Sequence, residues 1–283
     1  MTETLYLLII IFGMSIQNVL KKAFNKKLPS GGVMIFSATT VLFATLFFAV
    51  TASYPLCFTA DMLPFALGFA ACYCASAIFS ILAINCGSLS LTSLAISYSL
   101  LIPTVFGLLF WGDEPTPFFF IGLAFLIVSL LLINSKDGEI KITPKWALFV
   151  LIAFLGNGLC STIQNGYAKL HSTGNSEFML IALFAVFVAM LTMSIFRERP
   201  LLSPSLKGGW YFMAICGIAN GAVNLFVILL SPRMDSSIMF PLISAGGIVL
   251  TSLVSILLYK ERLSLKQYIG MALGIAAIVF LNL

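Results

Sequence analysis

The sequence predicts an all-α membrane protein of ten transmembrane helices, arranged as two inverted-topology five-helix repeats. Three observations carry this expectation. The 283 residues are 60% hydrophobic, with a mean hydropathy of +1.10, and only 9% are charged. A soluble domain carries about 25% charged residues, and a water-facing surface cannot be assembled from so few polar groups. Second, the apolar residues come in runs of about 16 to 23, the length that crosses a roughly 30 Å hydrocarbon core as a helix. Lipid offers backbone groups no water, so such runs satisfy their own hydrogen bonds by coiling. Third, the two halves of the chain repeat each other at an offset of 147 to 148 residues.

The runs follow in order. Thr4–Leu20 reads as the first span and not as a cleavable leader, because Glu3 precedes it and Lys21 and Lys22 follow it in place of a small-residue cleavage site. Val33–Ala52 and Met62–Ile84 are uninterrupted apolar stretches. Leu89–Trp111 contains Pro103, and Ile238–Tyr259 contains Pro241. Each proline removes a backbone donor and loosens its helix, as a gating kink or a plain bend. Phe118–Ile133, Trp146–Ala168, Phe178–Phe196, Trp210–Leu230 and Tyr268–Leu283 complete the ten. Trp111, Trp146, Trp210, Tyr259 and Tyr268 all fall at run ends, where amphipathic rings settle at a bilayer interface. The loops are short, with no soluble domain or low-complexity tract.

Charge orients the spans. Lys21, Lys22, Lys26 and Lys27, then Lys136, Lys141 and Lys145, then Arg197, Arg199 and Lys207, then Lys260, Arg262 and Lys266 share one side. Only Lys169 and Arg233 fall on the other. Basic loops stay cytoplasmic, which predicts a multi-pass inner-membrane protein with both termini outside the cytoplasm. The net charge of +5 sits in these loops and points to no nucleic-acid partner.

The repeat is visible in polar residues. Ser15-Ile16-Gln17-Asn18 recurs as Thr162-Ile163-Gln164-Asn165, and Lys22 matches Lys169. Further along, Ser88 matches Ser236, Asp113 matches Glu261, Gly122 matches Gly270 and Asn134 matches Asn282. The expected domains are residues 1–140 and 141–283. Five spans is an odd number, so the second copy enters from the opposite side. Inverted repeats supply two nearly equivalent conformations, one open to each side, which is the basis of alternating access. The expected function is therefore transport, and the expected partners are a small-molecule solute and the bilayer, with the chain a monomer or a homodimer.

Polar side chains inside a membrane face the bundle or a wet cavity. Gly217, Asn220, Gly221 and Asn224 share one face of the eighth run; Asn157, Ser161 and Gln164 share one in the sixth; Gly13 and Gln17 share one in the first, with Asn18 beside them. Tyr73 and Tyr98, with Ser97 and Ser244, add hydrogen-bonding walls. The candidate solute contacts are Gln17, Asn18, Tyr73, Tyr98, Asn157, Gln164, Asn220 and Asn224. Amides and hydroxyls suit a neutral or zwitterionic solute shedding its water. The same amides also serve as bonds across helix contacts, for which Gly217-x-x-x-Gly221 and Gly270-x-x-x-Gly274 have the small-residue spacing. Lys22 and Lys169 are candidate anion contacts or snorkelling interface residues. No carboxylate lies mid-span, so candidate coupling residues sit near a membrane face: Asp113, Asp235 and Glu261.

The six cysteines form no C-x-x-C pair and read as packing residues, with no metal site and no cofactor expected. One histidine, His171 in a loop, and no H-E-x-x-H argue against a membrane enzyme.

Tyr259-Lys260-Glu261-Arg262-Leu263-Ser264, then Gln267 and Gly270 opening an apolar helix, resembles the closing segment of the EamA-like repeat of the drug/metabolite transporter superfamily. Gly112-Asp113-Glu114-Pro115-Thr116 and Gly122 form a weaker copy, in which Asp113 keeps the nine-residue spacing to the glycine. The resemblance implies a secondary or facilitative transporter of small organic solutes, with proton coupling among the family's modes. It leads with export or exchange of amino acids or related metabolites, followed by uptake of a sugar, nucleoside or choline-like solute. A non-transporting receptor or assembly factor is the reading from another class. The small multidrug-resistance relatives carry a glutamate in their first helix, whereas Thr4–Leu20 has no carboxylate, which speaks against drug-cation antiport by that route.

Overall fold

The structure is a computed structural model, and it describes residues 2–28, 31–52, 54–86, 92, 96–134, 143–171, 173–259 and 264–281. The elements in chain order are helices α1 (Thr2–Lys27), α2 (Val33–Thr51), α3 (Met62–Cys86), α4 (Leu101–Phe106), α5 (Pro117–Asn134), α6 (Pro144–Leu170), α7 (Asn175–Arg197), α8 (Arg199–Leu230), α9 (Ser236–Tyr259) and α10 (Leu265–Leu281). Among the described residues, six helices are long and apolar enough to cross a membrane: α1, α2, α3, α6, α7 and α8. Shorter apolar stretches occupy Tyr98–Trp111, Pro117–Leu132, Ser236–Gly247 and Leu265–Leu281.

The helices overrun several of the apolar runs. α1 continues past Leu20 to Lys27, and α8 begins at Arg199, eleven residues before Trp210. Hydropathy marks where a helix meets lipid, not where it ends. Lysine, alanine and leucine are good helix formers that extend the coil into the headgroup region. Glu3 in the first turn of α1 and Lys26 and Lys27 in its last complement the helix dipole.

The run ending at Trp111 is not one regular helix. Its described part is a 3₁₀ turn at Tyr98–Leu100, the short α4, and a π turn at Gly107–Trp111. Pro103 has no N–H for the ladder and its ring crowds the preceding turn, which accounts for the irregular winding. The segment stops at Gly112, whose φ of 69° is the left-handed conformation that closes helices and favours glycine.

The chain forms two compact units. Unit 1 comprises Met1–Cys74 and Gly166–Leu230. Here α1 packs along α8, and α2 packs against both α7 and α8. α1 inverts the soluble pattern: Leu5, Leu8, Phe12 and Ile16 point outward, while Ile10, Gly13 and Gln17 point inward. Lipid solvates the leucine face, so the small and polar residues are left to make the helix contact. A Cβ on Gly13 would lie 2.6 Å from Val223 of α8. A Cβ on Gly217 would collide with the Thr40 carbonyl of α2, and one on Gly221 would lie 2.6 Å from the Phe47 ring. The glycine pair in α8 is thus a close helix contact with α2. Phe24, Phe36, Met213 and Cys216 form a core beside it. The end of α7 lies at the start of α2, where Glu198 accepts hydrogen bonds from the N–H groups of Met34 (2.9 Å to Oε2) and Ile35 (3.0 Å).

Unit 2 comprises Ala75–Asn165 and Ser231–Leu283. α5 packs along α10, and α9 packs against α10 and α4. Gly122, near the start of α5, sits against Leu281 at the end of α10, and Ser129 Oγ donates to the Gly270 carbonyl at 2.6 Å. These contacts make α5 and α10 antiparallel. Leu126, Leu130, Ala245 and Ala277 fill the core between them. Trp146 opens α6 but turns inward: it is 8% exposed, and its Nε1 donates to Thr92 Oγ1 at 3.0 Å. Of the interface rings expected from sequence, Trp210 is exposed, whereas the Trp146 indole found a buried acceptor instead.

Candidate functional site

In unit 1 the polar faces of α1 and α8 meet. Gln17 is buried, one turn after Gly13, because the contact at Gly13 draws the two helices together. Asn220 Nδ2 donates to Gln17 Oε1 at 3.1 Å. One turn on, Asn224 Nδ2 donates to both Asn220 O (2.8 Å) and Asn220 Oδ1 (3.1 Å). The three amides form a continuous hydrogen-bonded chain of uncharged groups. Asn220 and Asn224 remain half-buried, so each keeps accessible surface. The chain can hold hydroxyl or amide groups of a solute without ionising. Asn18, beside Gln17 in sequence, is exposed. Tyr73 is half-buried and stacks on Phe69 at 6.1 Å. Lys22 and Lys169 are both half-buried.

Unit 2 holds the other candidates. Asn157 Nδ2 donates to Ser99 Oγ at 2.6 Å, and Ser161 Oγ donates to Asn157 O at 3.2 Å. Gln164 is 5% exposed. Tyr98 donates its hydroxyl to Ile127 O at 2.8 Å, tying the 3₁₀ turn to α5. A cleft of about 330 Å³ lies over α4, lined by Leu101, Ile102, Val105, Phe106 and Phe154 among others. Its wall is apolar, which suits lipid rather than a hydrophilic solute.

The carboxylates divide. Asp113 is 7% exposed, and its Oδ2 accepts from Ser237 N at 2.8 Å, at the start of α9. Asp235, two residues earlier, is exposed. Glu261 lies outside the described residues.

Sequence reasoning missed two features. Glu198, with Ser205 Oγ accepting from Gly32 N at 2.9 Å, satisfies the orphan donors at the start of α2. An acid just after an apolar run was the available signal. The second is an aromatic stack: Tyr167 lies between His171 (4.3 Å, 17°) and Phe178 (4.3 Å, 16°), with Phe65 edge-on. The Tyr167 and His171 rings are one helical turn apart, which the four-residue spacing shows. His171 Nε2 lies 3.3 Å from Oδ2 of Asp61, just before α3. The Thr59 hydroxyl, then Asp61's own backbone N–H and His171, hold the Asp61 carboxyl below its usual range.

Among the described residues no three His, Cys, Asp or Glu side chains cluster to hold a metal.

The model of the EamA-like transporter family matches residues 140–283. The glucose uptake protein GlcU of Bacillus subtilis (strain 168) is 25% identical over 194 residues, covering 64% of this chain and 64% of that protein. A solved structure titled only "Crystal structure of protein" superposes with a TM-score of 0.79 at 15% identity, over 99% of this chain and 97% of that one, so the fold is shared along the whole length. A family match over half the chain, on a multi-span membrane architecture, leads to one identification: the chain belongs to the EamA-like transporter family of the drug/metabolite transporter superfamily.

Proposed function

We propose that this protein moves a small, uncharged, hydroxyl-rich solute, a monosaccharide in class, by alternating access, with Gln17, Asn220 and Asn224 contacting it. The observation that carries this reading is the amide chain itself. It offers donors and acceptors without charge, which matches a polyol and leaves the two ionised ends of an amino acid unanswered. The glucose uptake protein among its relatives supports the same class. Sugar uptake, second on sequence alone, therefore leads. Export or exchange of amino acids keeps one observation in its favour: half-buried Lys22 puts a cation on the same helix as Gln17.

The mechanism requires ten spans in two inverted repeats, residues 1–140 and 141–283. Contacts within the units support that architecture. The end of α7 meets the start of α2, the end of the α4 segment meets the start of α9, and α5 runs antiparallel to α10. Each pair joins helices five apart in order, as a two-fold axis in the membrane plane demands. The family match at 140–283 covers the second proposed repeat. The basic loops face the cytoplasm in this scheme and both termini lie outside.

A thermal-shift screen of purified protein against monosaccharides and amino acids tests the solute class, since a ligand for the folded state raises its apparent stability. A shift with a monosaccharide, lost in Asn220→Ala, supports the reading. A shift confined to amino acids transfers it to Lys22.

A further inference from the structure

The start of α9 gathers more oxygen than helix capping needs. Asp113 Oδ2 accepts the Ser237 N–H at 2.8 Å. Asn165 Nδ2 donates to Ser236 Oγ at 2.7 Å. Those two contacts fall on consecutive residues, so the Asp113 carboxylate and the Asn165 carboxamide converge on one turn. Gly107 backs the cluster: a Cβ there would collide with Asp113 Oδ2 and lie 2.9 Å from Ser236 Cβ. Asp113 is 7% exposed, Asn165 1%, and Ser236 and Ser237 0%.

Two oxygens in this enclosure have no hydrogen-bond partner among the described residues: Asn165 Oδ1 and Ser237 Oγ. A buried polar atom left unsatisfied costs about 1–3 kcal/mol, and two where Asn165 of α6 meets the first turn of α9 point to something that engages both. The carboxylate offsets the positive end of the α9 dipole, and the remaining groups are hard neutral oxygens, the donor set of an alkali or alkaline-earth cation. The enclosure is too buried for an organic solute. Beside it runs the π turn at Gly107–Trp111, and interrupted helices in inverted-repeat transporters are where coupling ions are coordinated.

We propose that Asp113, Asn165 Oδ1 and Ser237 Oγ bind a small monovalent cation, sodium in size and charge. Its use as a coupling ion rests on the transport reading above; its binding does not, so the test reads binding alone. Full-length protein in detergent is melted in sodium chloride and, at equal ionic strength, in potassium chloride and N-methylglucamine chloride. The expected result is a saturable rise of a few degrees in sodium only. Asp113→Asn keeps an acceptor for Ser237 N–H and should abolish the sodium response; Glu114→Gln, on the exposed carboxylate next in sequence, should retain it. Ser237→Ala should weaken apparent sodium affinity by about tenfold or more. Equal melting in all three salts would overturn the proposal, as would a sodium response that survives in both Asp113→Asn and Ser237→Ala. A Ser237→Ala variant more stable in every salt would also overturn it, since removing an orphaned hydroxyl that binds nothing relieves a penalty.

Discussion

Asn220 Nδ2 lies 3.1 Å from Gln17 Oε1, and this bond is where α1 and α8 meet through polar groups. Gly13, one turn before Gln17, packs against Val223, one turn beyond Ala219. The bond therefore lies on a close helix contact, and the solute contact proposed for its amides falls on groups that also pack. A double-mutant cycle separates the two. Gln17→Ala and Asn220→Ala each leave a partner unsatisfied, at a cost of about 1–3 kcal/mol. The coupling energy between them should be near 0.6 kcal/mol, as for polar pairs in membrane helices. Solute affinity should fall severalfold in each single variant, measured by titration of folded protein. Unchanged affinity would make the pair a structural tie only.

Gly221→Leu should damage folding and not merely block solute. The new side chain would enter the Phe47 ring, whose nearest carbon is 2.6 Å from the Cβ position. Overpacking of this kind costs typically 1–3 kcal/mol. Lower yield and a lower melting temperature are expected. Gly217→Leu should be worse, because backbone of α2 stands in the way there and cannot rotate aside. Normal stability of both variants would contradict the helix contact.

Glu198→Gln should lower the melting temperature. The carboxylate takes N–H groups of both Met34 and Ile35 at the positive end of α2, and an amide loses the charge while keeping one acceptor. Capping losses run about 0.5–2 kcal/mol. Glu114→Gln, at an exposed residue, is the control and should not move the melting temperature.

Much of this organisation was legible. Apolar runs such as Val33–Ala52 and Met62–Ile84 nearly coincide with α2 and α3, because lipid imposes one rule on every spanning residue. The polar faces around Gln17 and Asn220 were legible too, since most amides amid leucines turn inward, although Asn18 beside Gln17 lies exposed. The irregular winding around Pro103 was not, because composition says only that a helix is weakened there, not which turn results. The inward turn of Trp146 depends on Thr92, more than fifty residues away, and no local pattern records such a partner. The same holds for Asn165 with Ser236 and Glu198 with Met34.

Acid should act through Asp61 only below the usual carboxylate range. Its folded pKa is lowered, first by Thr59. A depressed carboxylate contributes stability that is present above its unfolded pKa, about 3.9, and is lost as pH falls through the folded value. Melting curves at pH values from neutral down through this range should show wild type losing more stability than Asp61→Asn at the acid end. A larger loss in Asp61→Asn would contradict the shift.

The proposed solute path runs along Gln17, Asn220 and Asn224. Counterflow of a labelled monosaccharide in proteoliposomes tests it most directly, because exchange needs a site reachable from both sides and no assumption about coupling. Wild type should show saturable counterflow with at least one monosaccharide. Asn220→Ala, compared per folded molecule, should reduce it severalfold. Absence of counterflow for every monosaccharide and amino acid, or flux in Asn220→Ala equal to wild type, would contradict the account.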